Sequence, residues 1–112
     1  MSGKDDSTKK QEWLKKLEKE GRLKANPTED HKIGLQTMQN PTRRKILKML
    51  NNSSLSVVEI GDNLNLNGSM AKFHVEMLEN ALYVDRVENS EPLRYEISPR
   101  GEAFLENVEE TE

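Results

Sequence analysis

The segment "SMAKFHVEML" (residues 69–78) holds the side chains best suited to chemistry in this sequence. Ala71, Val75 and Leu78 recur at helical spacing and form the inner stripe of an amphipathic helix. Ser69, Lys72, Phe73 and Glu76 then point outward. A hydroxyl, an ammonium group and an aromatic ring side by side suit non-covalent recognition. The hydroxyl and the helix's first amides can meet phosphate, the ammonium group can meet phosphate or a base edge, and the ring can pack on thymine methyls and sugars. A partner protein would use the same ring, and a plain solvated face is the bland alternative. An aromatic ring covers ~150–250 Å² when buried, which argues against leaving Phe73 wet without a purpose.

Other chemistry is thinly represented. His74 flanks the apolar stripe, where a structural hydrogen bond to a backbone carbonyl is the ordinary role and a phosphate contact the sharper one. His31 is the only other histidine, and there is no cysteine. Transition-metal sites need three or four clustered ligands, so neither a metal nor a cofactor is expected, and thiolate metal binding and disulfides are excluded. There is no phosphate-cradling glycine loop and no nucleophile–base set in a recognisable context, so an enzyme is not expected.

Several helices must position the outward face. Asn67 is a good N-cap for a helix opening at Gly68 and running to about Asn80. Before it, Ser56 and Glu59 have capping-box spacing. Val57, Ile60 and Leu64 form a short apolar face, and Asn65 tolerates the left-handed break. "NPTRRKILKML" (40–50) places Pro41 in a first turn and Ile46, Leu47 and Leu50 on a core stripe. Arg43 and Arg44 are expected to pair with acidic neighbours. Upstream, Thr28 is a candidate cap for a helix bearing Ile33, Leu35 and Met38.

After residue 80 the pattern changes to period two. "YVDRVEN" and "LRYEI" flank the turn "NSEP" and predict a hairpin. Leu93, Tyr95 and Ile97 share one face of it, and Arg86 and Arg94 have Glu88 and Glu96 as cross-hairpin partners. Ser98 and Pro99 open a last helix with Phe104, Leu105 and Val108 on its apolar side.

The chain has 112 residues, enough for one domain and a tail. Of its 25 Leu, Ile, Val and Phe residues, 22 fall within 33–108. Residues 1–27 read as a flexible basic arm, part of it able to form a helix. Residues 1–10 are expected to be disordered, and 11–24 form a helix with Trp13, Leu14 and Leu17 on one side, ended by Gly21. Residues 28–110 form the folded domain. The arm carries 8 Lys+Arg against 5 Asp+Glu; the remainder carries 9 against 15. An acidic domain opposes nucleic-acid binding. However, five of those carboxylates lie within 102–112 and two more are Glu29 and Asp30, away from the outward face. No apolar run approaches the ~18–20 residues of a membrane span, and the N-terminus lacks a signal-peptide core.

Two short helices joined by a tight turn make a helix-turn-helix, and a hairpin after the second makes the winged form. "NPTRRKILKML" (40–50), "LSVVEIGDNLNLNGSMAKFHVEML" (55–78) and "YEISPRGEAFL" (95–105) together resemble the winged helix-turn-helix transcription regulators of the ArsR-like family, over about two thirds of the chain. The fold implied is α+β and mainly α: a helical bundle with a two-stranded β-hairpin wing. The resemblance implies a cytoplasmic homodimer that binds double-stranded DNA as a repressor or activator. It assigns Asn67, Gly68, Ser69, Met70, Lys72 and Phe73 to the recognition helix, and His74 matches a histidine common in this branch. Arg86, Asn89 and Arg94 fall on the wing.

The sequence departs from the family in three ways. The cysteine-bearing metal motif is replaced by "EIGDNL". The recognition helix carries Lys72 against Glu76 and Glu79. Leu82 stands where a glycine usually precedes the first wing strand, so the left-handed turn is expected at Asn80 or shifted. The dimer contact is expected from Ile33, Leu35 and Met38 with Phe104, Leu105 and Val108, joined by Trp13 and Leu17. The competing class is a winged-helix module that binds a partner protein and not DNA; a single-stranded nucleic-acid binder is weaker, because one Phe is a thin stacking platform.

Overall fold

The structure, a computed structural model, describes the backbone of residues 2–111 and the side chains of residues 8–108. The chain order is α1 (Ser2–Lys19), α2 (Pro27–Met38), α3 (Pro41–Leu50), β1 (Leu55–Ser56), α4 (Val57–Leu64), α5 (Gly68–Asn80), β2 (Val84–Arg86), β3 (Arg94–Ile97) and α6 (Pro99–Thr111). This is the expected winged helix-turn-helix, mainly helical. The expected two-stranded wing is enlarged to a three-stranded antiparallel sheet of order β1-β3-β2. The extended piece at Leu55 completes it: Leu55 pairs with Tyr95 and Ser56 with Arg94, which occupies the free edge of β3.

Helix starts follow the caps. The Asn67 side chain accepts from the Met70 amide at 2.8 Å, and Ser56 and Glu59 close a full capping box. Asn40 caps α3 with Pro41 at its first position. Asn26, not Thr28, caps α2: its Oδ1 accepts from the Thr28 and Glu29 amides, while Pro27 at the first position has no amide to offer. Asn65 makes the left-handed break of the helix-turn-helix (φ 56°). Gly61 is required there, because a Cβ would stand 2.9 Å from the Leu66 carbonyl oxygen and 3.4 Å from the Ala71 Cβ. Its absence lets α4 and α5 close to contact.

The main core joins Ile46, Leu47 and Leu50 of α3 to Ile60, Val75, Leu78, Val84, Tyr95 and Leu105. Each such side chain contributes ~1.5–3 kcal/mol on burial. Arg43 and Arg44 do not form the expected ion pairs among the described residues. Arg43 Nε donates to the Thr37 carbonyl at 2.7 Å and Arg44 Nη1 to the Met38 carbonyl at 2.6 Å. The short break at Asn40–Pro41 brings the first turn of α3 beneath the exposed carbonyl end of α2, where cations are favoured.

A second, smaller cluster consists of Trp13, Leu17 and Leu82 with Leu14 packed against it. Helix α1 begins at Ser2, within the stretch whose composition suggested disorder. It ends at Gly21 (φ 72°) with the Schellman bonds Arg22 N–H to Leu17 O and Gly21 N–H to Glu18 O. The same motif ends α5, but its left-handed residue is Leu82 itself (φ 69°), not Asn80. Tyr83 N–H bonds Leu78 O and Leu82 N–H bonds Glu79 O. A left-handed leucine costs about 1–2 kcal/mol. Leu82 is 1% exposed beneath Trp13 and Leu17, and that burial, ~1.5–3 kcal/mol, offsets the strain.

Candidate nucleic-acid interface

Helix α5 presents the sequence-selected face to solvent. Asn67, Gly68, Ser69, Met70, Lys72 and Phe73 are all exposed, and Phe73 leaves 50% of its surface open. Among the described residues Lys72 has no ion-pair partner. Asn67 reaches the face as its N-cap, with one side-chain oxygen already used by Met70 N–H.

His74 is placed apart from that face. It is 6% exposed, with Nδ1 3.2 Å from Arg43 Nη1 and its ring edge-to-face with Phe73 at 5.4 Å. A guanidinium has only donors, so Nδ1 accepts and the imidazole is neutral with its proton on Nε2. Burial, and then the Arg43 charge, hold its pKa below the ordinary histidine value. The partner is a side chain rather than the expected backbone carbonyl. His74 therefore anchors α5 to α3.

On the wing, Arg86, Asn89 and Arg94 are exposed, and Asn89 is left-handed at the tip (φ 61°). The expected pairing across the hairpin does not occur. Arg86 registers opposite Tyr95, on the face toward α5, and donates to Glu79 at 2.8 and 3.4 Å. Hydrogen bonding to Glu79, then the charges of Glu79, Tyr95 and Glu76, favour its charged form. Glu88 meets Lys16 of α1 at 3.7 Å instead. Arg94 alternates to the other face of the pleat and forms no ion pair among the described residues. It adds to the Ser56 hydrogen bonds that lower the Glu59 pKa.

Arg22 and Asp85 escape the sequence reading, and Glu79 and Trp13 take partners it did not give them. Glu79 restrains the wing arginine. Asp85 is 4% exposed and accepts from Trp13 Nε1 at 2.9 Å and Arg22 Nη1 at 3.1 Å. Trp13 was assigned to a partner surface, and Arg22 and Asp85 had no local signal, lying 63 residues apart. Among the described residues no group of three or more His, Asp or Glu can hold a metal ion, and no helix is long and apolar enough to cross a membrane.

Comparison with known proteins agrees with this geometry. Residues 40–86 match the family model of bacterial regulatory proteins, arsR family, a span running from the cap of α3 to the end of β2. Reduced HlyU from Vibrio cholerae is 26% identical, with a TM-score of 0.65 over 75% of this chain and 90% of that one. The HlyU transcriptional regulator from Vibrio vulnificus is 24% identical, with a TM-score of 0.62 over 88% and 96%. An ArsR-family transcriptional regulator, RHA00566, is 21% identical, with a TM-score of 0.57 over 73% and 94%. The last two likenesses show the fold alone. No curated protein matches the sequence. The similar structures described as regulators are not enzymes. Over residues 40–86 the chain is similar to the bacterial regulatory proteins of the arsR family, and its fold is that of the winged helix-turn-helix regulators.

Proposed function

We propose that the protein is a homodimeric, repressor-like transcription regulator that binds double-stranded DNA sequence-specifically and works in the cytoplasm. Helix α5 enters the major groove. Its first-turn amides and Ser69 meet phosphate, and Lys72 and Phe73 meet base edges. Arg94 and Asn89 meet backbone at the wing, joined by Arg86 when it leaves Glu79. The observation that carries the reading is the outer face of α5, where a half-exposed aromatic ring stands beside a lysine with no ion-pair partner among the described residues, on a helix whose inner face is buried.

Dimerisation is supported by a groove of about 760 Å³ between α2 and α6, lined by Leu35, Phe104 and Ala103 among others. Leu35 is 55% exposed and Phe104 is partly buried. The expected contact set is narrower than the sequence suggested. Met38, Leu105, Trp13 and Leu17 are buried within the protomer, which leaves Ile33, Leu35 and Phe104 of that set to reach a partner.

Titration with mixed-sequence duplex DNA at low salt, followed by selection of bound duplexes, tests the function. The double variant Lys72→Ala, Phe73→Ala is expected to bind at least about 30-fold more weakly, because it removes two base contacts of ~1–3 kcal/mol each. Unchanged binding removes the recognition-helix assignment. If the wild type binds no duplex, the same exposed face belongs to a protein-interaction module. Sedimentation that shows only monomer at high concentration removes the dimer.

A further inference from the structure

Nothing in a DNA contact uses Asp85, yet it is a buried carboxylate in the first wing strand. Both of its donors, Trp13 Nε1 and Arg22 Nη1, come from the N-terminal segment. The other nitrogen of the Arg22 fork donates to the Glu79 carbonyl at 3.2 Å and the Val84 carbonyl at 3.4 Å. One guanidinium thus ties the last turn of α5 to the first residue of β2. Lys24 Nζ adds a bond to the Asn80 carbonyl at 3.1 Å. At Glu79 and Asn80 these cations meet carbonyls at the negative end of the helix, where positive charge is favoured. The joint they cover is the one turned by left-handed Leu82, where the Schellman hydrogen bonds and the packing of Trp13 and Leu17 hold a conformation that leucine resists.

We propose that Arg22 and Asp85 are positioning residues, through which the N-terminal segment fixes the angle between the recognition helix and the wing and so sets DNA affinity. The inference rests on the reading of α5 and the wing as the DNA surface. A wing held at a fixed angle enters the complex already ordered; a loose one must be ordered by the DNA, and affinity falls.

The test uses the full chain with Arg22→Ala, Arg22→Lys and Asp85→Asn. Duplex affinity is measured at fixed salt, and amide hydrogen exchange is followed across residues 82–97. Asp85→Asn is the decisive variant. It removes a negative charge, so plain electrostatics predicts tighter binding, whereas loss of positioning predicts binding weaker by about five- to tenfold, the range of a modest coupling. Faster exchange in the wing should accompany the loss, with amides of α3 and α5 unchanged. Arg22→Ala should behave likewise. Arg22→Lys, which keeps the charge but not the fork, should fall between it and the wild type.

Wild-type or tighter affinity in Asp85→Asn, or weakened binding with unchanged wing exchange, overturns the proposal. If Arg22→Ala and Asp85→Asn do not fold, Trp13→Phe keeps the ring over Leu82 and removes only the indole donor. A weakening of about twofold with faster wing exchange then supports the proposal, and no change overturns it. Should the wild type bind no duplex, or Lys72→Ala with Phe73→Ala bind normally, the DNA reading fails first and the affinity claim falls with it. Faster wing exchange in Asp85→Asn would still record the structural tie.

Discussion

Replacing Glu79 by alanine should make this protein bind DNA more tightly. Arg86 is 56% exposed in its side chain yet is held by the Glu79 carboxylate through two hydrogen bonds. Removing that carboxylate frees one wing cation per protomer to meet a phosphate. Each phosphate neutralised steepens the dependence of log K on log salt by about 0.9. At ~0.1 M salt this corresponds to about eightfold in affinity per protomer, and on the order of 60-fold for a symmetric dimer. The stability cost is modest: the Arg86 side chain is exposed and Glu79 partly covered, a pair near the surface contributes ~0–1 kcal/mol, and alanine is the best helix former. The assay is fluorescence anisotropy of a labelled duplex across a salt series, with thermal melting as the control. Equal affinity and an equal salt slope in Glu79→Ala and the wild type would refute the placement of Arg86 at the phosphate backbone. Weaker binding would show that the ion pair itself shapes the wing for DNA.

Two further outcomes follow from buried geometry. The lowered pKa of His74 means that the unfolded chain takes up a proton below pH ~6.5 that the folded chain refuses. Stability is therefore fully present above that pH and falls as pH drops below it, toward the lowered folded-state pKa. His74→Gln retains an acceptor for Arg43 but cannot titrate, and its melting temperature should change less over that window; an equal acid-side fall in both proteins would assign the effect elsewhere. Gly101→Ala should be strongly destabilising, because a Cβ there would lie 2.5 Å from the Tyr83 carbonyl oxygen and 2.7 Å from Ile97 Cγ1. Overpacking of this kind costs ~1–3 kcal/mol, at roughly 4–8 °C of melting temperature per kcal/mol, and a melt within a degree of wild type would contradict the packing described.

Local chemistry in the sequence determined the helix-turn-helix. Asn67, the Ser56–Glu59 capping box, Pro41 and Asn65 act within three or four residues of themselves, and period-3.6 stripes fix which faces turn inward. The outward face of α5 is legible for the same reason: once Ala71, Val75 and Leu78 are buried, Lys72 and Phe73 have nowhere else to point. Tertiary structure alone decided how that surface is held and which charges on it are free. Glu79 captures Arg86 from the neighbouring element, while Lys16 takes Glu88, Arg43 seats His74, and Arg22 with Trp13 closes on Asp85, pairings between elements far apart in the chain. Leu82 is the clearest case. Read locally, a leucine excludes the left-handed turn and moves it to Asn80; folded, the turn stays at Leu82 because burial beneath a helix more than sixty residues away in sequence outweighs the backbone strain. Long-range burial energy is invisible to any window of neighbouring residues, and here it exceeds the local preference it overrides.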